Sequence, residues 1–326
     1  MSDPATDCSV SSGGRSVLPE ELISVVIPCF NRADVISRAV DSVLRQTHRN
    51  LEVIVVDDAS EDSDGLEAAI AGMNDARIRL LKHKTNQGGA AARNTGVTAA
   101  KGEWVAFLDS DDEWHPEKLE KQLEFAAMLP SDKCLIYCQS EVLTTQSAGV
   151  QQSVMPMRAI RADEAIGDYL FADRGWLPTP SFFLPRKLAC EVSFNPALRR
   201  HQDYDLLLRL EDAGCSFHMI QEKLVTVHWE DLHQTSRGLN PERSLCFIEE
   251  YRSMLSPKAQ SGFVYSQVVS RLLREGRRGE ALSIAMKQVR FWHLSAATLI
   301  GALSLFVFRD ARLAVSGARL KKKIKA

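Results

Sequence analysis

Residues 104–113 read Trp-Val-Ala-Phe-Leu-Asp-Ser-Asp-Asp-Glu. The run from Trp104 to Leu108 is short, apolar and rich in aromatic and β-branched members, which is the pattern of a buried strand. It ends abruptly in Asp109, Asp111 and Asp112. Strand ends in open α/β sheets are where ligands sit, and carboxylates crowded there repel one another unless something cationic joins them. A divalent ion carrying a diphosphate suits such a place, because Mg²⁺ takes one or two carboxylates plus phosphate oxygens. Side chains alternate along extended backbone, so Asp109 and Asp111 share one side. Asp112 points elsewhere, toward an acceptor or a helix cap. The same residues also fit a solvated acidic loop ahead of the helix that starts near Pro116.

Working outward, strand and helix patterns alternate over the first 130 residues. Leu22 to Ile27 reads as a strand stopped by Pro28, and Leu51 to Val56, Arg77 to Leu81 and Trp104 to Leu108 follow as strands. Between and after them, Val35 to Leu44, Asp62 to Met73, Ala90 to Ala100 and Glu117 to Met128 carry helical spacing. This alternation predicts an α/β fold, a Rossmann-like, mainly parallel sheet with helices on both faces. After Pro130 a smaller mixed region is expected, with strands at Leu135 to Tyr137, Glu141 to Thr144, Phe182 to Leu184, Phe217 to Ile220 and Leu224 to Val227. A helix is expected over Tyr204 to Glu211. The predicted organisation is a disordered segment over 1–20, a catalytic domain over 21–235 and a helical region over 236–326.

Bulk properties narrow the class. The chain of 326 residues has a formal net charge of −2, so no overall basicity argues for nucleic acid. Its seven cysteines are scattered, and only Cys134 and Cys138 lie close together, within a strand-like segment. No second pair completes a zinc site, which leaves reduced thiols in the cytosol as the simplest account. The first 20 residues lack the apolar core of a secretory signal. Phe291 to Phe308 is an uncharged run of eighteen residues, followed by seven Lys or Arg against one Asp from Arg309 to Ala326. That length only just reaches a span, and a span would carry the basic tail across the membrane against the usual bias. A helix lying at the interface, with the tail on anionic lipid, avoids the conflict. The plain alternative is a helix packed on the catalytic domain.

Further constellations carry chemistry. At the exit of the first strand, Val25-Val-Ile-Pro-Cys-Phe-Asn-Arg32, a planar base could lodge beside Pro28 and Asn31, although a plain turn has the same composition. In Val55-Val-Asp-Asp-Ala-Ser60, a carboxylate can accept the ring N–H of uracil or guanine. Asp58 is the candidate base reader and Asp57 the structural member, yet either also fits a cap. Asn86-Gln-Gly-Gly-Ala-Ala-Ala-Arg-Asn-Thr-Gly96 brings glycines to a helix start, where backbone N–H groups favour an anion. Arg93 either approaches that anion or balances the acidic loop. Asp203, in Gln202-Asp-Tyr-Asp-Leu-Leu-Leu-Arg209, lies just before a helix, as an N-cap or as a general base facing a hydroxyl.

Together these segments resemble the family 2 glycosyltransferases of bacterial surface-polysaccharide synthesis, which have the GT-A fold. The matching stretches are ISVVIPCFNR at 23–32, VIVVDDAS at 53–60, NQGGAAARNTG at 86–96, GEWVAFLDSDDEWHP at 102–116 and QDYDLLLRL at 202–210. The likeness covers residues 22–230. It implies transfer of a sugar, with inversion, from a nucleotide diphosphate donor to an acceptor hydroxyl on a polysaccharide or lipid-linked glycan. Carried over, Asp58 looks like the base-binding residue, with Pro28, Asn31, Arg93 and Asp109 also toward the nucleotide sugar. Asp109 and Asp111 look like the DxD pair for Mn²⁺ or Mg²⁺. His228 lies where some relatives make a further metal or diphosphate contact, and Asp203 looks like the catalytic base. Relatives often carry Glu-Asp where this chain has Gln202-Asp203, which leaves the base but removes its acidic neighbour. A UDP-sugar and the cytoplasmic membrane face are the expected donor and location. A sugar nucleotidyltransferase and an inactive nucleotide- or glycan-binding module are the alternatives.

Overall fold

The computed structural model describes residues 21–146, 149–230 and 241–294. The expected disordered segment over 1–20, most of the apolar run after Leu294 and the basic tail lie outside the described residues.

The strands of the first half are β1 (Ile23–Cys29), β2 (Leu51–Asp57), β3 (Ile78–Lys82) and β4 (Trp104–Phe107). Between them run α1 (Ile36–Leu44), α2 (Ser63–Gly72) and α3 (Gly89–Ala99). After β4 come the short β5 (Glu113–Trp114) and α4 (Lys118–Ala127), then β6 (Cys134–Gln146), β7 (Gly149–Met155) and β8 (Phe183–Pro185). Next are α5 (Arg186–Val192), α6 (Gln202–Asp212) and β9 (Ser216–Glu230). The helices α7 (Pro241–Glu250), α8 (Pro257–Phe263), α9 (Ser270–Glu275) and α10 (Arg278–Gln288) complete the described chain.

Among the described residues the strands form one sheet in the order β3-β2-β1-β4-β8-β6-β9-β5, with β7 paired to β6. The first four are parallel. Their apolar side chains alternate between two faces. Ile23, Val25 and Ile27 of β1 pack with α1 and α2 on one side, while Val26 packs with α3 on the other. Ile36, Val40 and Val43 recur at helical spacing and are fully buried, each worth about 1.5–3 kcal/mol by transfer. A Cβ on Gly96 would lie 2.3 Å from Val26 Cγ1, so only glycine lets α3 lie this close to β1. The chain order leaves β1 toward β2 and returns to β4 on its other flank. That reversal is the topological switch point at which such sheets bind ligands.

Several boundaries differ from the sequence expectation. β1 does not stop before Pro28: Pro28 and Cys29 remain in register with Val56 and Asp57. Pairing with β4 has already ended at Val26–Phe107, so the proline stands where one flank of the strand is open and its missing N–H is tolerated. The four strands expected over 135–144 and 217–227 are two long ones, β6 and β9, paired in parallel with register shifts between Cys138 and Ser140. The expected helix over Tyr204 to Glu211 starts earlier, at Gln202, so Asp203 lies in its first turn rather than before it. The C-terminal helices share the main core: Phe247, Tyr251 and Phe263 pack in one cluster with Leu135, Tyr169 and Leu206.

Candidate active site

The C-terminal ends of β1, β2 and β4 carry the proposed donor residues. The turn after β1 is clamped to the turn after β2: Asn31 N–H donates to Ser60 Oγ at 2.9 Å, and Asn31 Oδ1 accepts from Glu61 N–H at 2.8 Å. Asn31 holds a positive φ of 53°, a conformation Asn tolerates better than most residues. Asp57 is occupied locally, accepting from Ser60 N–H and the Ser63 hydroxyl.

Asp58 organises the next loop. Its Oδ1 accepts from His83 Nδ1 at 2.7 Å and Gln87 N–H at 2.8 Å, and its Oδ2 accepts from Gly88 N–H at 2.7 Å. A carboxylate offers about four acceptor positions, so one on Oδ2 is left for a ligand. His83 is held on its far side by Thr95 Oγ1 at 2.9 Å, which fixes the ring between the loop and α3. No motif in the sequence points to His83. Its signal was positional, one residue beyond a strand that lies beside β2. Gly88 has φ +93°, and a Cβ there would come within 2.5 Å of Arg199 Nη1. The positive φ of the turn therefore favours glycine, whereas the flexible tip of Arg199 could move aside for a side chain.

The acidic loop after β4 lies at the switch point. Arg93, reaching from α3, binds Asp109 Oδ1 through Nη2 at 2.6 Å. Its Nη1 reaches Gln202 Oε1 on α6 at 3.3 Å. Its guanidinium rests 5.4 Å from the Phe194 ring centre, and its buried Nε has no hydrogen-bond partner among the described residues. Arg93 thus balances the acidic loop and also ties it to the helix bearing Asp203. Asp111 is 3.8 Å from Arg32, and Arg38 donates to its backbone carbonyl. Burial, and next the charge of Asp109, push the Asp111 carboxyl above its ordinary range. Asp112 is buried and raised further, by burial first and then by Asp109 and Asp111. It accepts from His228 N–H at 3.0 Å, so it ties the loop to β9. The His228 ring is turned to Glu113, 2.8 Å away.

Asp203 sits in the first turn of α6. His201 is the N-cap, without a side-chain capping bond. Burial raises the Asp203 carboxyl, while its own N–H, that of Tyr204 and the charge of Arg93 lower it, and Asp109 raises it again. Asp203 therefore lies within electrostatic reach of the same Arg93–Asp109 pair that faces the acidic loop. Residues 94 positions apart in the chain, Asp109 and Asp203 by number, are brought to one place.

Whether this set suits a divalent cation is a question of donor chemistry. Asp109 and Asp111 offer hard oxygens from one loop, and their mutual repulsion is only partly met by Arg93 and Arg32. An added cation would relieve it. Among the described residues no group of three or more His, Cys, Asp or Glu side chains is arranged to hold a metal. Phosphate oxygens would have to complete the shell, which is the Mg²⁺ pattern. The residues fit the ion on those terms.

A model of the family described as glycosyl transferase family 2 matches residues 24–140. The amylovoran biosynthesis glycosyltransferase AmsB of Erwinia amylovora is 32% identical over 279 residues, 83% of this chain and 90% of that protein. The Escherichia coli UDP-Glc:alpha-D-GlcNAc-diphosphoundecaprenol beta-1,3-glucosyltransferase WfgD is 38% identical over 130 residues, 40% of this chain and 50% of its own. The crystal structure of S. aureus TarS 1-349 in complex with UDP-GlcNAc is similar with a TM-score of 0.56 and 20% identity, covering 88% of this chain and 80% of that one. Likeness at that identity speaks to the fold alone.

Proposed function

The chain belongs to glycosyl transferase family 2 and is a glycosyltransferase of GT-A fold, and from its site we propose that it moves a sugar from a UDP-sugar to a hydroxyl of a polysaccharide or lipid-linked glycan, with inversion. The observation that carries this reading is Arg93, which joins Asp109 of the acidic loop to Gln202 beside Asp203. Asp58 shapes the Gln87–Gly88 loop and keeps one acceptor position for the uracil N3–H. Pro28 and Asn31 border the base at the end of β1. Asp109 and Asp111 would hold Mn²⁺ or Mg²⁺, and His228 would add a further contact to ion or diphosphate once its ring leaves Glu113. The ion's chemistry there is that of a Lewis acid, neutralising charge on the departing diphosphate. Asp203 accepts the proton of the acceptor hydroxyl as that oxygen attacks the anomeric carbon. A single base opposite a single leaving group gives one displacement and inverts the centre, whereas retention would need a second carboxylate as nucleophile.

UDP is favoured over CDP because cytosine offers Asp58 no ring N–H on that edge. The printed names of WfgD and of the TarS complex, which mention UDP-Glc and UDP-GlcNAc, support the same donor class. A panel of UDP, GDP, CDP and dTDP sugars, scored by thermal shift with and without Mn²⁺, tests the proposal. UDP-sugars should raise the melting temperature, and only with the ion. NMR of the transferred product should show the inverted anomer. Equal shifts with CDP-sugars, or a retained anomer, would overturn it.

We place the enzyme at the cytoplasmic face of the membrane, as a peripheral protein. Leu282 and Met286, one turn apart on α10, are exposed together with Phe291 and Trp292. They lead into the uncharged run up to Phe308 and the basic tail. No helix among the described residues is long and apolar enough to cross a membrane. Because Val289 is buried in the core, the deletion that tests attachment should start after Leu294. It is expected to abolish pelleting with anionic vesicles, and undiminished pelleting would rule the anchor out.

A further inference from the structure

The residue before Gln202 has a role that the transfer reaction does not by itself require. His201 caps α6 in the left-handed conformation, with φ +62°. Its carbonyl accepts the helix's opening bond, from Asp205 N–H at 2.9 Å. Its side chain is buried and stacked on Tyr204, with ring centres 5.4 Å apart and planes 14° from parallel. Phe247 of α7 and Phe263 of α8 close round it at 5.1 and 5.2 Å. Nε2 lies 2.9 Å from Ser244 Oγ, also on α7. A second tie follows one turn on, where the Tyr251 hydroxyl donates to the buried Asp205 carboxylate. The first turn of α6, which carries Asp203, is thus keyed into the C-terminal helices rather than capped by its own sequence.

We infer that His201 is a positioning residue: its ring, locked between α7 and α8, sets the direction in which α6 presents Asp203 to the acceptor. The inference rests on the reading of Asp203 as base. The ring acts by shape, since burial, followed by the charge of Arg200, pushes its pKa down to about 3 and keeps it neutral. The acid limb of the rate profile should therefore stay with Asp203 when His201 is changed.

His201→Gly separates ring from backbone, because glycine adopts the positive φ without strain. A base misdirected by about 1 Å costs on the order of 100-fold in rate. The expected result is a fall of about 100-fold in kcat, with donor Kd by calorimetry unchanged. His201→Asn, which tolerates the same φ and keeps part of the ring's volume though it is too short to reach Ser244, should recover part of the rate. In an Asp203→Asn background His201→Gly should add less than about 3-fold, because the two act as a unit. Phe247→Leu loosens the same pocket from the α7 side and should give a smaller loss confined to kcat, and it serves if His201→Gly fails to fold. Wild-type kcat in His201→Gly, or in Phe247→Leu where that variant has to serve, overturns the inference. So does a full loss repeated on top of Asp203→Asn, or donor affinity weakened in step with kcat. A wild-type rate in Asp203→Asn alone would instead overturn the base assignment.

Discussion

Asp203→Asn should lower the transfer rate by about 10²–10⁴, the range that a positioned general base contributes, while leaving donor affinity within about 2-fold of wild type. Asparagine keeps the size and the acceptor oxygen for the backbone N–H groups of residues 203 and 204. What it cannot do is take a proton. The base must be ionised to act, so the rate rises as pH climbs through its pKa. Burial first, and Asp109 after it, raise that pKa, against the N–H groups and Arg93. The acid limb of kcat/KM should therefore lie above the ordinary carboxylate range, and it should vanish in Asp203→Asn. Steady-state kinetics across pH, with donor calorimetry alongside, distinguishes this from a binding defect. A variant retaining most of the wild-type rate would remove Asp203 from the mechanism.

The parallel half of the sheet was legible because three of its four strands are buried on both faces. Ile23–Cys29, Leu51–Asp57 and Trp104–Phe107 read as short apolar runs between amphipathic helices, and the structure keeps them within two residues. The mixed half was harder. β6 and β9 were each read as two strands because the register slips between Cys138 and Ser140, and the apolar alternation breaks there. β7 has mostly exposed side chains on both faces, which leaves no period to detect. α5 buries only Leu188 and Ala189. Asp203 was set ahead of its helix because His201 is a cap without the Ser, Thr, Asn or Asp that usually marks one. The acidic loop, Asp58 and Asp203 could be nominated from local pattern. The bonds that assemble them could not: Arg93 meets Gln202 across 109 residues, and His201 meets Ser244 across 43. Such pairings depend on tertiary packing, which no local period encodes.

Asp111→Asn should abolish the part of donor binding that depends on Mn²⁺ and lower turnover on the order of 10²–10³-fold. That corresponds to about 3–4 kcal/mol of lost charge stabilisation at the leaving group. The substitution keeps the shape of the loop while removing one of two like charges. Asp109 is one cause of the raised Asp111 carboxyl, after burial, so taking away the Asp111 charge relieves repulsion in the metal-free protein. The melting temperature of the free enzyme should rise slightly, while the Mn²⁺-dependent increment with UDP-sugar disappears. A misfolded variant would show the opposite sign in the first measurement. Asp109→Asn makes the contrast, because Asp109 is also the 2.6 Å partner of the largely buried Arg93. That change leaves a buried cation short of its counterion, so the free protein should be destabilised as well as inactive. A Mn²⁺-dependent shift that survives in Asp111→Asn would show that this carboxylate does not serve the ion.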